Sequence, residues 1–399
     1  MKKNVLILLS MLMLTSCTDK SWRGVSGGDS DDDDSRMPVL IGMGDGVSYT
    51  KGTGAVDDND GREWRDVDVY VYAFRKDAPF TEPAVSGDDC LIDGTVDDSG
   101  NLAGRRATYS STDEYLIWAD SNEEIYYPQG KTNYDFYAYY IDDMSIPRAS
   151  IERSHDRISF PVTIDGSTDL MTGRAVVSDA SFRNSNFSAE EKEMLKRYAF
   201  SSYTAKRGIT PMLEFRHHLT RIRFEMYPAA DMSNTVIINS IKVKAKTTGT
   251  FVAVSRDDAA TGVDFPSTST MDWLELAEAD GSPLKQDEYH TTDKKEEVDF
   301  SKPLYERPHV QVGGSLLLSP DAEYEVELGL KELKGIGHTG KTPFSISRDG
   351  GFKAGHQYVV RLGIYGMMEI RPVVEIEPWG TGGRITVDEE DDFEATYGS

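Results

Sequence analysis

Apolar side chains occupy every second position along several stretches of the second half of this chain, and that period constrains the backbone more than any other feature. Tyr324, Val326, Leu328 and Leu330 alternate with Glu325, Glu327, Gly329 and Lys331. Ile241, Val243 and Ala245 alternate with Lys242, Lys244 and Lys246, and Tyr358, Val360, Leu362 and Ile364 follow the same rule. Side chains of an extended chain leave opposite faces in turn, so each stretch is a strand with one face in a core and one in water. Antiparallel sheets stacked as sandwiches have this pattern. Residues 67–74, 134–141 and 158–164 are strands by their β-branched and aromatic content, and 213–226 reads as one long strand.

One helix stands out. Ser188 followed by Glu191 forms a capping box, and Met194, Leu195 and Tyr198 give an apolar face that runs through Phe200. Residues 201–208 are polar and end in Gly208, which places a domain boundary there with the helix at the junction. No strand–helix–strand alternation occurs, so the reading is all-β: two antiparallel β-sandwich domains, 37–208 and 209–399, with one short helix near the junction.

The N-terminus reads as an export signal. Lys2 and Lys3 precede an apolar segment, 5–14, that is too short to span a bilayer, and small or polar residues lead to Cys17. Leu14-Thr15-Ser16-Cys17 reads as a bacterial lipobox, in which the Cys17 thiol is diacylated and the chain is cut before it. Residues 1–16 are then a signal peptide. Residues 17–36 offer almost no apolar surface and read as a disordered acidic tether. Within it, Ser30 and the run Asp31 to Asp34 resemble the acidic signal that sends Bacteroidetes lipoproteins to the outer face of the outer membrane.

The chain is strongly acidic, with 43 Lys+Arg against 68 Asp+Glu and a net charge of −25. That excess repels nucleic acid and anionic lipid headgroups, so neither is expected as a partner. Only Cys17 and Cys90 are present, which leaves no intrachain disulfide in the body of the protein and no metal cluster.

Apparent catalytic motifs lack their structural context. Residues 335–342 match both G-x-x-x-x-G-K-[ST] and G-x-G-x-x-G, but Pro343 follows at once and 344–347 read as a strand. A phosphate loop needs a helix N-terminus after it, and a hairpin loop has none. Asp57 to Gly61 looks like a calcium loop, yet aligning Gly61 with the obligatory glycine puts Val56 and Val67 at ligand positions. His217 and His218 are adjacent on a strand and point to opposite faces, so they cannot share a metal; one is expected in a packed face and one in solvent. No cofactor, no metal and no catalytic residue is expected, and the chain reads as a non-enzyme.

Three segments together resemble the fimbrillin, or major-fimbrial-subunit-like, family of Bacteroidales. They are Tyr126-Tyr127-Pro128-Gln129-Gly130 running into 134–140, then 211–224 with its F-x-H-x-L-x-x-I-x-F pattern followed by 247–251, and finally 358–363 with Ile376-Glu377-Pro378-Trp379. The resemblance implies tandem transthyretin-like sandwiches, a type V pilus component, and a fimbrial subunit or fimbria-associated adhesin held at the outer membrane by its lipid. It makes His217 a structural residue of a signature strand. Polymerisation in the family proceeds by strand exchange: a protease removes the first strand, and the vacated groove takes a strand from a neighbouring subunit.

On that basis Val39, Leu40, Ile41 and Met43 belong to the removable first strand and its groove. Lys51 occupies the loop where many relatives carry an arginine, and Arg36 and Arg62 are rival cut sites. Ile385, Val387, Phe393 and Tyr397 are the donor-strand candidates. The acid-rich 388–394 resists burial in an apolar groove, which favours a tip, accessory or anchor subunit over a stalk. Partners implied are other fimbrial subunits, the outer membrane through the lipid, and a host or bacterial surface ligand. The competing reading is a monomeric surface lipoprotein that binds glycans or another ligand through exposed aromatics, for which Trp22, Trp64, Trp118, Trp273 and Trp379 are the candidates.

Overall fold

A computed structural model describes residues 36–43, 68–81, 89–93, 104–110, 112, 115–119, 124–141, 150–177, 179–182, 187–228, 235–292, 295–302, 307–333, 339–364 and 370–377. The elements in chain order are β1 (Gly42–Met43), β2 (Asp68–Arg75), β3 (Cys90–Ile92), β4 (Arg105–Ser110), β5 (Tyr115–Trp118), β6 (Tyr134–Ile141) and β7 (Glu152–Arg153). Next come β8 (Arg157–Thr163), β9 (Leu170–Ala175), α1 (Ala189–Arg197), α2 (Ser202–Ala205), β10 (Met212–His217), β11 (Thr220–Pro228) and β12 (Val236–Lys246). The remainder are β13 (Thr248–Ser255), β14 (Gly262–Asp264), β15 (Met271–Glu275), β16 (Tyr289–His290), β17 (Val310–Leu318), β18 (Asp321–Glu332), β19 (Thr339–Phe352), β20 (Gln357–Ile364) and β21 (Ile370–Glu377).

Four sheets result. The first runs β1-β10-β9-β6-β2-β4-β5 with β3 beside β2, and the second runs β14-β13-β8-β7. The third is β17-β11-β20-β21, and the fourth is β15-β12-β18-β19 with β16 beside β12. The protein is therefore all-β apart from its short helices.

Burial explains why the two halves of the sequence read differently. Along β2, Tyr72 and Phe74 pack into one apolar cluster while Val69, Val71 and Ala73 pack into another. β6 divides in the same way, Tyr137 and Tyr139 on one side and Phe136, Ala138 and Tyr140 on the other. A strand buried on both faces has no polar face to reveal its period, so both read as continuous apolar runs. The fourth sheet has one wet face. Its inward residues Ile241, Val243, Val326 and Leu328 are fully buried against Ile222, Phe224, Val360 and Leu362 of the third. Its outward face is laced by ion pairs such as Lys244–Glu325 at 2.9 Å and Lys242–Glu275 at 3.1 Å.

Several expectations need amendment. The long strand expected over 213–226 is two strands: β10 ends in the first sheet, and β11 begins in the third after His218 and Leu219. A periodic pattern continues through such a crossover because both pieces are extended. The chain therefore passes from the first sheet to the third at His218–Leu219, and it crosses twice more, since β13 and β14 join β8 while β12 and β15 lie in the fourth sheet.

The capping box at Ser188 is present, with the Glu191 carboxylate accepting from the Ser188 amide at 2.7 Å. α1 stops at Arg197, however, and Phe200 turns the chain with φ +56°. Met194 is exposed, leaving Leu195 as the buried residue of the helix. Residues 201–208 are no simple polar linker. Ser201 and Thr204 cap α2 reciprocally, and both are fully buried, because their hydroxyls satisfy the backbone groups that burial would otherwise leave unpaired.

Candidate functional site

The first-strand segment lies between two edges. Tyr127 donates its amide to the Met37 carbonyl at 2.9 Å, Val39 donates to Ile125 at 2.8 Å, and Pro38 bridges Tyr126. Further along, the Leu116 amide of β5 donates to the Ile41 carbonyl at 2.8 Å. The next residue bonds in the other direction: the Gly42 amide donates to Pro211 at 2.9 Å, and β1 runs parallel to β10 with Gly42 opposite Met212 and Met43 opposite Leu213. The segment thus links the two ends of the first sheet, β10 and β5.

Side chains follow the strand period. Val39, Ile41 and Met43 are 4%, 1% and 7% exposed and share a cluster with Leu116, Tyr127, Leu213 and Phe215. Burying three such side chains stabilises by about 4.5–9 kcal/mol in total, at roughly 1.5–3 kcal/mol each. Leu40 projects from the opposite side and is half-buried, so it belongs to the strand but not to the apolar row. Arg36 is exposed just before the segment. Lys51 and Arg62, the donor candidates Ile385, Val387, Phe393 and Tyr397, and Cys17 lie outside the described residues.

A second constellation sits at the crossover from β10 to β11. His217 and His218 are both buried, at 8% and 7% exposure, so neither reaches solvent as the alternation suggested. Both faces of the first sheet are covered at this point. His217 Nδ1 lies 2.8 Å from Asp169 Oδ2, and Asp169 is fully buried. His218 Nε2 lies 2.6 Å from the Thr172 hydroxyl. Burial, aided by the nearby Arg216 and His217, pushes the His218 pKa down to about 3, which keeps the ring neutral. The two rings serve different partners on β9 and the turn before it, and fix the crossover by hydrogen bonds in a desolvated setting. Gly262 belongs to the same packing: it has φ +127°, and a Cβ there would stand 2.8 Å from His218 Nδ1. Adjacent histidines were visible in the sequence, but nothing near them identified Asp169 or Gly262 as neighbours.

The remaining candidates are dispersed. Thr339, Lys341 and Thr342 of the nucleotide-like motif lie on β19, paired with Lys331, Gly329 and Leu328 of β18, and Lys341 is 2.7 Å from Glu327. The strand already includes Pro343, which faces Glu327. Gly335 to His338 and the calcium-like Asp57 to Gly61 lie outside the described residues. No group of three metal-ligating side chains occurs among the described residues.

Cys90 is half-buried on β3, its thiol 3.6 Å from the Ala73 carbonyl, and burial first and Asp93 second push its pKa up to about 12. Trp118 and Trp273 stand in different sheets, each with a cation over its ring: Arg105 at 5.2 Å and Lys244 at 5.7 Å. These two do not form a pair. Trp22, Trp64 and Trp379 are outside the described residues.

Comparison with known proteins supplies the remaining finding. Residues 88–379 match the fimbrillin-like family, and the chain belongs to it. Among solved structures, the chain is similar to a fimbrial protein from Bacteroides vulgatus at 12% identity and a TM-score of 0.45, covering 86% of this chain and 100% of that one. It is also similar to the fimbrial anchor protein Mfa2 from Porphyromonas gingivalis at 12% identity and a TM-score of 0.34, covering 86% and 98%. None of the curated proteins matches it.

Proposed function

We propose that this member of the fimbrillin-like family is a non-enzymatic fimbrial subunit or fimbria-associated adhesin that joins other fimbrial subunits by strand exchange. It reaches the outer face of the outer membrane as a lipoprotein diacylated at Cys17. Family membership supports the fimbrial part. Strand exchange rests on one observation: Ile41 and Gly42, adjacent in the chain, bond to opposite edges, β5 and β10. Withdrawing that segment frees main-chain groups on both edges and opens an apolar row shaped for three alternate side chains, the recognition mode of strand addition.

The position of the cut matters. Cleavage at Lys51 or Arg62 falls after the first strand and separates it from the body. Cleavage at Arg36 leaves the strand attached. A tip, accessory or anchor role fits better than a stalk, because the acids at 388–394 flank Phe393 and oppose its burial.

Limited trypsin digestion followed by size-exclusion chromatography and intact mass tests the reading. The expected result is a cut at Lys51 or Arg62, loss of the fragment carrying Val39 to Met43, and SDS-resistant ladders. A clipped chain that stays monomeric and keeps the fragment would overturn strand exchange and turn attention to a monomeric ligand-binding lipoprotein.

A further inference from the structure

A groove of about 600 Å³ opens along β9 and β10. Its cations are Arg216 of β10, Arg174 of β9, Lys76 just after β2, and Lys196 of α1. Three carboxylates share it: Asp135, Glu214 and Asp258. Two of these orient arginines, since Asp258 lies 2.8 Å from Arg216 and Asp135 lies 3.9 Å from Arg174. Lys196 also lies 3.7 Å from Glu193, its neighbour on α1.

Further bases stand past the helix, whose surface also exposes Glu190, Glu191 and Glu193, and the Asn133 side chain in the groove donates to the Arg197 carbonyl at 3.2 Å. There Arg207 lies 3.8 Å over the Tyr203 ring, Lys131 5.0 Å over the same ring, and Arg197 5.6 Å over Tyr198. Among the described residues, no carboxylate forms an ion pair with Lys76, Lys131, Arg197 or Arg207. In a chain with 68 acidic and 43 basic residues, bases gathered in this way run against the composition.

We propose that the acidic run 388–394 of the same chain docks along this groove, its carboxylates on the cationic track and Phe393 toward the groove's aromatic rings. The run is Asp388, Glu389, Glu390, Asp391, Asp392, Phe393 and Glu394, and Tyr134, Phe200 and Phe215 line the groove. Position supports the assignment. β21 ends at Glu377, whose partner on β20 is Gln357, which in turn pairs with Arg221 near the start of β11. Two strand spacings put Glu377 about 10 Å from Arg221, at the end of the third sheet that meets His217 and Arg216. From there to residue 388 the chain can extend about 36 Å.

Tethering also favours this occupant over a free polyanion. A covalently attached segment arrives at high effective concentration, whereas a free one meets the repulsion of the whole acidic body. The inference is tested apart from strand exchange, since it concerns the uncut monomer and the groove's charged residues, while Phe215 is shared with the first-strand cluster.

Zero-length carbodiimide coupling of the purified full chain, read by peptide mass spectrometry, tests it. Amide bonds from the acids of 388–394 to Lys76 or Lys196 are expected within monomers, with yields that fall as salt rises and shortens the screening length. In a variant that keeps Asp391 and converts the other five acids to amides, the Asp391 cross-link should drop about tenfold, at a few tenths of a kcal/mol for each lost exposed contact. Four results would overturn the proposal. They are the absence of these cross-links, cross-links solely between copies, Lys76 and Lys196 coupling instead to acids of 29–34, and an Asp391 yield unchanged by salt or by the substitutions.

Discussion

His217 Nδ1 stands 2.8 Å from Asp169 Oδ2 at the point where the chain leaves the first sheet for the third. Asp169 Oδ1 also accepts the Leu170 amide at 2.8 Å. Both side chains are almost wholly buried, at 6% and 0% exposure. His217→Ala should cost about 1–3 kcal/mol, because the fully buried Asp169 loses one of its hydrogen bonds while keeping that from the Leu170 amide. Urea denaturation of His217→Ala, Asp169→Ala and the double variant checks this. The double variant should be less destabilised than the sum of the single ones, since the hydrogen bond the two share is lost only once.

His218 makes stability depend on pH. Its folded pKa of about 3 lies below the unfolded value near 6.5. Between those values the unfolded chain binds a proton that the native one does not, so the contribution is complete above about pH 6.5 and is lost as pH falls toward 3. Denaturation curves from pH 7 to pH 4 should be flatter for His218→Gln than for the parent, by at most about 1.4 kcal/mol per pH unit. Parallel curves would rule out a neutral, buried His218.

The first strand should show its two faces in stability. Ile41→Ala removes a side chain that is 1% exposed and should cost about 2–4 kcal/mol. Leu40→Ala, on the half-buried face, should cost clearly less. Equal losses in thermal or urea unfolding would mean that the apolar row is not the anchor.

Gly262→Ala should destabilise by about 2 kcal/mol or more, combining a φ of +127° with a Cβ 2.8 Å from His218 Nδ1. Gly173→Ala, on β9 of the first sheet, tests a steric clash without the dihedral penalty, since its Cβ would meet the Phe215 ring at 2.8 Å. Calorimetry on both variants separates steric from backbone cost.

Cys90 should resist alkylation. Its thiol pKa is raised to about 12, and the thiolate is the reacting form. Iodoacetamide at pH 8 should label Cys90 slowly in the native protein and rapidly in urea. Fast native labelling would contradict the buried thiol on β3.

What could be read in advance depended on whether a segment met water. Lys242, Lys244 and Lys246 report the outer face of β12 because they are solvated there, and Ser188 with Glu191 reports a helix start through bonds spanning three residues. The crossover at His218–Leu219 left no such mark. Extended backbone continues through it, and Asp169 is distant in sequence from the histidine it holds. The α2 turn was hidden for a different reason: Ser201 and Thr204 look like solvent-loving linker residues until their mutual capping is seen.

The sequence by itself determined the strand period, the capped helix, the acid excess and the family pattern from Phe215 to Phe224, all of which depend on residues near one another in the chain. Only the tertiary structure decided that β1 lies parallel to β10, that Ile41 also meets β5, and that β13 returns to pair with β8. Alternation states which face of a strand is buried, but not which strand lies beside it. That choice is made by edges from remote parts of the chain, where main-chain groups must find partners and the side chains beneath them must fill one core.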